Sequence, residues 1–282
     1  MELNDKLKGL PDVYLLTLDE RPDRQEYTET QYDHWGIKNY TKVSGSKYQV
    51  SNYDEWKDLV ILNPFVKNPG GHQSPPVWQQ LTEICTCLSD LLIIKNWLET
   101  TNDQYMILME DDYDLSFIEY WHFDWEYLMN NIPYDWDCIQ MSFENGTVYP
   151  CYLHPIISGH GTGGSLINRR YAEKLMSLLY KDGKFDLSKK RCNSKFLGDS
   201  NIATDYLTGH SGKTYCIPLF AVNPWIGSYA KNILRQNRGD LLFSYKACKK
   251  WWTKLRDVYT LEEFFTYGKW NDKAITSKNL DD

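Results

Sequence analysis

The sequence predicts an α/β fold built on a mixed, mostly parallel central sheet with a helical C-terminal tail. Two observations carry this. Short apolar, β-prone runs recur at residues 13–18, 105–109 and 138–142, each too brief for a helix and apolar enough to be buried on both faces. Between them lie stretches whose apolar residues fall three and four apart, the spacing of one helix face. Strands alternating with helices give a sheet covered by helices.

Taken in order, Val13-Tyr14-Leu15-Leu16-Thr17-Leu18 reads as a buried first strand. The polar Asp19-Glu20-Arg21-Pro22-Asp23-Arg24 reads as a turn into a helix, because the fixed φ of Pro22 suits the first helical position. Residues 50–76 carry Asn63-Pro64, Asn68-Pro69-Gly70-Gly71 and Pro75-Pro76 and read as irregular loop. Residues 81–98 form a helix with Ile84, Leu88, Leu91, Leu92 and Trp97 recurring at helical spacing. Residues 105–109 form a central strand that runs straight into Glu110-Asp111-Asp112. Further strands are expected at 138–142, 164–167 and 214–218, and a helix at 170–180 with Leu175, Leu178 and Leu179 on one face. One or two amphipathic helices follow Tyr229. This divides the chain into an α/β domain, 1–229, and a helical extension, 230–282, packed on it.

At 282 residues, with 42% hydrophobic and 24% charged, the chain has the make-up of a globular enzyme domain. The net charge of −7 argues against a nucleic-acid partner, which calls for a basic excess. Basic residues do cluster at Lys189-Lys190-Arg191 and Lys249-Lys250, which suits a solvated face, an anionic acceptor or peripheral contact with a membrane surface. The 11 Trp and 21 Tyr suit a core and equally a site for flat, partly apolar ligands. Seven scattered cysteines without a Cys-x-x-Cys pair read as reduced, mostly buried thiols of a cytoplasmic protein. No apolar leader follows Met1, and no run is long enough to span a bilayer.

The chemistry concentrates at the end of the 105–109 strand. In open α/β sheets ligands bind beyond the carboxyl ends of the strands. Three adjacent acids there repel one another, and a divalent cation such as Mg²⁺ or Mn²⁺ is the simplest compensation for hard carboxylate oxygens. On an extended backbone Glu110 and Asp112 point one way and Asp111 the other. Asp112 would then hold a metal that bridges to a diphosphate and stabilises it as it leaves. The competing reading is a solvated acidic cap. Arg21 and Arg24 suit the same diphosphate, since guanidinium groups fit phosphate oxygens; each also suits an exposed helix start. Ser158-Gly159-His160-Gly161-Thr162-Gly163-Gly164 is a glycine-rich turn into a strand, fit either for close approach to a ligand or for a plain hairpin.

These segments resemble the family-25 glycosyltransferases, the lipopolysaccharide-glycosyltransferase type that includes collagen galactosyltransferases. The resemblance runs through residues 13–24, through Glu83-Ile84-Cys85-Thr86-Cys87-Leu88-Ser89, through Ile107-Leu108-Met109-Glu110-Asp111-Asp112, and through Gly163-Gly164 to Leu175. It implies a GT-A fold, a nucleotide-diphosphate sugar donor (UDP-hexose above all), Mn²⁺ or Mg²⁺, and transfer to a hydroxyl of a glycan or glycoconjugate acceptor with inversion. It places Leu16, Thr17, Leu18, Arg21, Arg24, Ser89, Asp111, Gly163 and Gly164 around the donor, and Glu110 and Asp112 at the metal. A histidine often joins that metal, with His210 and His160 as the candidates. Asp205 matches the acid near the reacting centre, which would take the proton of the acceptor hydroxyl; Asp199 and Glu144 are its rivals. Trp225 and Tyr229 suit either core packing or stacking on acceptor sugars. The chain departs from the family at Thr17 for asparagine, Cys85 for glycine and Asp90 for histidine. Two other classes remain: a glycan-binding scaffold with a decayed site, and a metal-dependent phosphohydrolase.

Overall fold

The computed structural model describes residues 5–62, 77–142, 151–156, 164–188, 209, 211–226 and 234–265, with side chains at 77–83 and 234–240 outside that description. Its strands are β1 (Val13–Thr17), β2 (Tyr40–Ser44), β3 (Val60–Leu62), β4 (Tyr105–Glu110), β5 (Tyr113–Asp114), β6 (Cys138–Ser142), β7 (His154–Pro155), β8 (Gly164–Asn168), β9 (Tyr180–Lys181), β10 (Lys184–Leu187) and β11 (Thr214–Val222). Its helices are α1 (Pro22–Trp35), α2 (Tyr53–Trp56), α3 (Val77–Thr100), α4 (Trp125–Asn131), α5 (Arg169–Leu179), α6 (Leu234–Lys250) and α7 (Leu261–Phe265).

Among the described residues the main sheet has eight strands in the order β2-β1-β4-β8-β6-β11-β5, with β7 also on β11. β1 runs parallel to β2 and β4, and β6 parallel to β11, while β8 lies antiparallel between β4 and β6. The sheet is therefore mixed. Five strands share one direction, but β8 makes the pairings on both its sides antiparallel. The carboxyl ends of β1, β2, β4, β6 and β11 gather at one edge, together with the start of β8.

Period-two alternation loads both faces, as a central sheet requires. Val13, Leu15, Ile107, Met109, Ile139, Met141 and Leu166 face one core with Tyr32 and Trp35 of α1. Tyr14, Leu16, Met106, Leu108, Cys138 and Ile167 face the other, with Ile84, Leu88, Leu91 and Trp97 of α3 and Leu175 and Leu179 of α5. Helix α1 starts at Pro22 as expected and ends at Gly36, whose φ of 68° is the left-handed cap that glycine adopts without strain. Asp124 and Asn168 cap α4 and α5 by accepting from Tyr127 N and Tyr171 N. No helix among the described residues is long and apolar enough to cross a membrane. The cysteines in the described residues are free, and all but Cys85 are buried.

One strand outruns its sequence signal. Pro218 reads as the end of β11, yet the strand continues to Val222. The register against β6 shifts between Cys216 and Phe220, so Pro218 sits in an irregularity where no ladder N–H is needed. Its carbonyl accepts from Trp252 Nε1 at 2.7 Å. Trp252 belongs to the π-helical turn Trp251–Leu255 after α6, and it shares a core with Val13 and Leu15. The C-terminal helices thus fill one face of the sheet.

His154 on β7 sets a pH dependence. It is 4% exposed, and burial pushes its imidazole down to about 4, against the raising effect of the Pro155 carbonyl. The unfolded chain binds this proton near pH 6.5 and the folded chain does not. Stability is therefore complete above about pH 6.5 and falls as pH drops through that value towards 4, by about 3 kcal/mol in total. Urea unfolding between pH 7 and pH 4 checks this: His154→Gln should lose that much less than the parent, and parallel profiles would refute it.

Candidate functional site

The acidic segment stands where the sheet gathers its strand ends. β4 closes at Glu110, opposite Leu16 of β1, and the chain turns at Asp111-Asp112 before β5 crosses to pair with β11. Because the backbone leaves the extended form there, the expected alternation of the three acids does not hold. Asp111 Oδ1 and Asp112 Oδ2 converge instead, each 2.6 Å from Nη2 of Arg24. Asp111 Oδ2 accepts from Thr17 Oγ1 at 2.6 Å, and the Asp111 carbonyl from Thr28 Oγ1 at 2.9 Å. Arg24 and Thr28 are four apart on α1 and so share a face. That face lies over the acidic turn.

Arg24 is 6% exposed and Asp111 3%. Burial raises the Asp111 carboxyl, while Arg24 and Thr17 pull it the other way. This corrects two expectations. The repulsion between Asp111 and Asp112 is met from within the chain rather than only by a cation. Arg24 is a buried counter-ion whose Nη2 is committed to two carboxylates, not an arginine presented to a diphosphate. Asp111 and Thr17 likewise spend their side chains on this network, beneath the surface rather than on it.

Asp112 is different. Its Oδ1 is buried and has no hydrogen-bond partner among the described residues, while its carbonyl accepts from Asn223 N at 2.7 Å. A buried carboxylate oxygen with no donor is an unmet acceptor, and a hard oxygen of this kind fits a divalent cation. No group of three His, Cys, Asp or Glu side chains that could hold a metal occurs among the described residues. The fit is therefore of one open oxygen, beside half-buried Glu110.

Around this turn the residues that the resemblance places at a donor assemble in part. A Cβ on Gly45, which follows β2, would meet Leu16 Cδ1 at 3.2 Å, Leu18 Cδ2 at 3.4 Å and Ser89 Oγ at 3.6 Å. Leu16, Leu18 and Ser89 thus meet at one point at the end of β1, and Gly45 lets the backbone close on them. Ser89 Oγ donates to Cys85 O within α3. Asp90, the next residue, is buried. Arg21 stays partly exposed: its Nη2 donates to Asp23 Oδ2 at 2.7 Å and to Ile226 O at 2.9 Å. That pairing holds the Asp23 carboxyl down to about 2. Gly164 begins β8 opposite Met109, near Tyr113 and Ser142, whose Oγ donates to Tyr113 OH.

The segment after β11 closes the other side. Trp225 N donates to Asn223 Oδ1, Asn223 Nδ2 donates to Tyr27 OH, and Trp225 is 61% exposed. Glu144, His160, Gly163, Asp199, Asp205, His210 and Tyr229 lie outside the described residues. Sequence reasoning missed Gly45, Thr28 and Asn223. Only Thr28 carried a signal, its helical spacing from Arg24.

No protein-family model matches the chain, and no curated protein matches it. Among solved structures it is similar to "Crystal Structure of A197 from STIV", at 11% sequence identity and a TM-score of 0.34, over 75% of this chain and 84% of that chain. That likeness identifies no family.

Proposed function

We propose that the chain is a divalent-metal-dependent glycosyltransferase of the GT-A type, moving a hexose from a nucleoside diphosphate, UDP above all, to a hydroxyl of a glycan or glycoconjugate. The observation that carries the reading is Asp112 Oδ1, a buried carboxylate oxygen without a donor, at the ligand-binding edge of an α/β sheet. Asp112, with Glu110 beside it, would hold the cation, Mn²⁺ or Mg²⁺. When bound, such an ion neutralises charge on the departing diphosphate. Arg24 and Thr17 fix the acidic turn, so that Asp112 presents one oxygen in a set direction. Leu16, Leu18 and Gly45 would bed the nucleoside, and Arg21 would face the diphosphate. The acceptor oxygen bonds to the anomeric carbon as the carbon–oxygen bond to the diphosphate breaks, and the hydroxyl proton passes to a carboxylate, for which Asp205 is proposed.

Calorimetric titration of UDP with and without Mn²⁺, on the parent and on Asp112→Ala, tests this. UDP should bind only with Mn²⁺, and Asp112→Ala should weaken it by about tenfold or more, the loss of one charged ligand. Absence of UDP binding in every condition would remove the reading. A second reading, a glycan-binding scaffold with a decayed site, is favoured by Arg24, which already neutralises the cluster from within. Mn²⁺-dependent UDP binding without hydrolysis or transfer of UDP-hexoses would single it out.

A further inference from the structure

The proposed reaction needs a place for its acceptor, and Trp225 supplies an observation that the donor side does not absorb. The described residues expose few large apolar side chains: Ile61, Tyr105, Tyr134, Trp225 and Val258. Trp225 stands apart from the other four in its position. Its segment is bonded directly to the acidic turn through Asn223 N and the Asp112 carbonyl, 2.7 Å apart.

The ring is held out rather than left loose. Asn223 accepts from Trp225 N at 3.0 Å and is itself fixed by Tyr27, while Ile226 O accepts from Arg21 Nη2 at 2.9 Å. The indole packs against the ring of Tyr245 in a T-shaped contact, with centroids 4.8 Å apart and planes at 86°. Tyr245 is itself anchored by donating to Asp114 Oδ2 at 2.7 Å. Both flanks of the segment and the ring itself are thus tied to the sheet edge, while the residue stays 61% exposed. A ring fixed and exposed in this way offers apolar area that a ligand can cover without first ordering it.

The surroundings select the ligand. The acidic turn beside the segment is rich in acceptors, with Arg24 Nη2 engaged by Asp111 and Asp112 and Arg21 by Asp23 and Ile226. One indole is too small a patch for a protein partner. A neutral pyranose has what remains: a C–H face to lie on the indole and hydroxyl donors for carboxylate oxygens.

We propose that Trp225 is the platform of the acceptor subsite and takes the apolar face of a neutral hexopyranose, beside the acidic turn at Asp112. This rests on the glycosyltransferase reading for its role, though not for the binding itself. The test uses the whole chain labelled with 5-fluorotryptophan and followed by fluorine NMR, with the Trp225 resonance identified by its loss in Trp225→Phe. Methyl β-galactoside, methyl β-glucoside and methyl α-mannoside are titrated in turn, with and without UDP and Mn²⁺. The Trp225 resonance should shift saturably with at least one glycoside. Trp225→Ala should weaken that glycoside about tenfold and leave UDP affinity unchanged, with Trp225→Tyr in between. A resonance that no glycoside moves, or that UDP alone moves to saturation, overturns the proposal. If UDP fails to bind at all and a glycoside still moves the ring, the donor reading fails and the platform stands.

Discussion

Arg24→Ala should destabilise the fold by about 3–5 kcal/mol, the cost of leaving a buried charge without its partner. The side chain is 6% exposed and a single atom, Nη2, touches both Asp111 and Asp112. Without it two carboxylates face each other out of water, with Thr17 left to hold one oxygen of Asp111. Arg24→Met fills the volume but not the charge and should fare little better. Arg24→Lys keeps a charge and recovers part of the loss, because the contact rests on one nitrogen. Urea denaturation of the three variants checks the order. A cost under about 1 kcal/mol for Arg24→Ala is what an exposed pair would give, and it would rule out the buried network. Asp111→Asn alone should cost less than Arg24→Ala, since it removes a charge from a site with two acids and one base.

Deleting residues 234–282 should leave a chain that no longer folds cooperatively. Tyr245, Cys248, Trp251, Trp252, Phe264 and Phe265 lie in the same core as the strand residues Val13, Leu15 and Ile139. Removing them bares that face of the sheet. The truncated chain should bind a hydrophobic dye, lose its near-ultraviolet dichroism and melt without a sharp transition. Trp252→Ala is the graded form. It empties a fully buried site and leaves the Pro218 carbonyl without its donor, so a loss of about 3–5 kcal/mol is expected. A truncated chain that melts sharply with native dichroism would show the extension to be a separate body.

The sequence disclosed β1, β4, β6, β8 and the start of β11 because each is a short, largely apolar run, but not the more exposed β2 and β3 or the short β5, β7, β9 and β10; it disclosed α3 and α5 because their buried residues keep helical spacing. What it hid depends on distant partners. Nothing in Gly164-Ser165-Leu166-Ile167 marks β8 as antiparallel, since a strand buried on both faces reads the same in either direction. Arg24 reads as an exposed charge at a helix start, and its burial follows from an acidic turn delivered by β4. The spread of Glu110, Asp111 and Asp112 assumed a continuing strand, whereas the strand stops at Glu110. Pro218 reads as a terminator and is instead absorbed by a register shift. Of the site, the carboxylates and Leu16, Leu18 and Ser89 were legible; the internal counter-ion was not.

The position of β11 also shapes how the chain comes to be folded during synthesis. Among the described residues it is the last strand to be made, yet β5, β6 and β7 all pair with it. Until it emerges, the edge of β6 has no partner on that side, and the Ile139 and Met141 face stays open until the C-terminal helices follow. At ordinary translation rates that interval lasts roughly ten seconds, far longer than chain collapse takes. Its soluble yield should therefore respond to slower growth or cooler expression more than to mutations that stabilise the finished molecule.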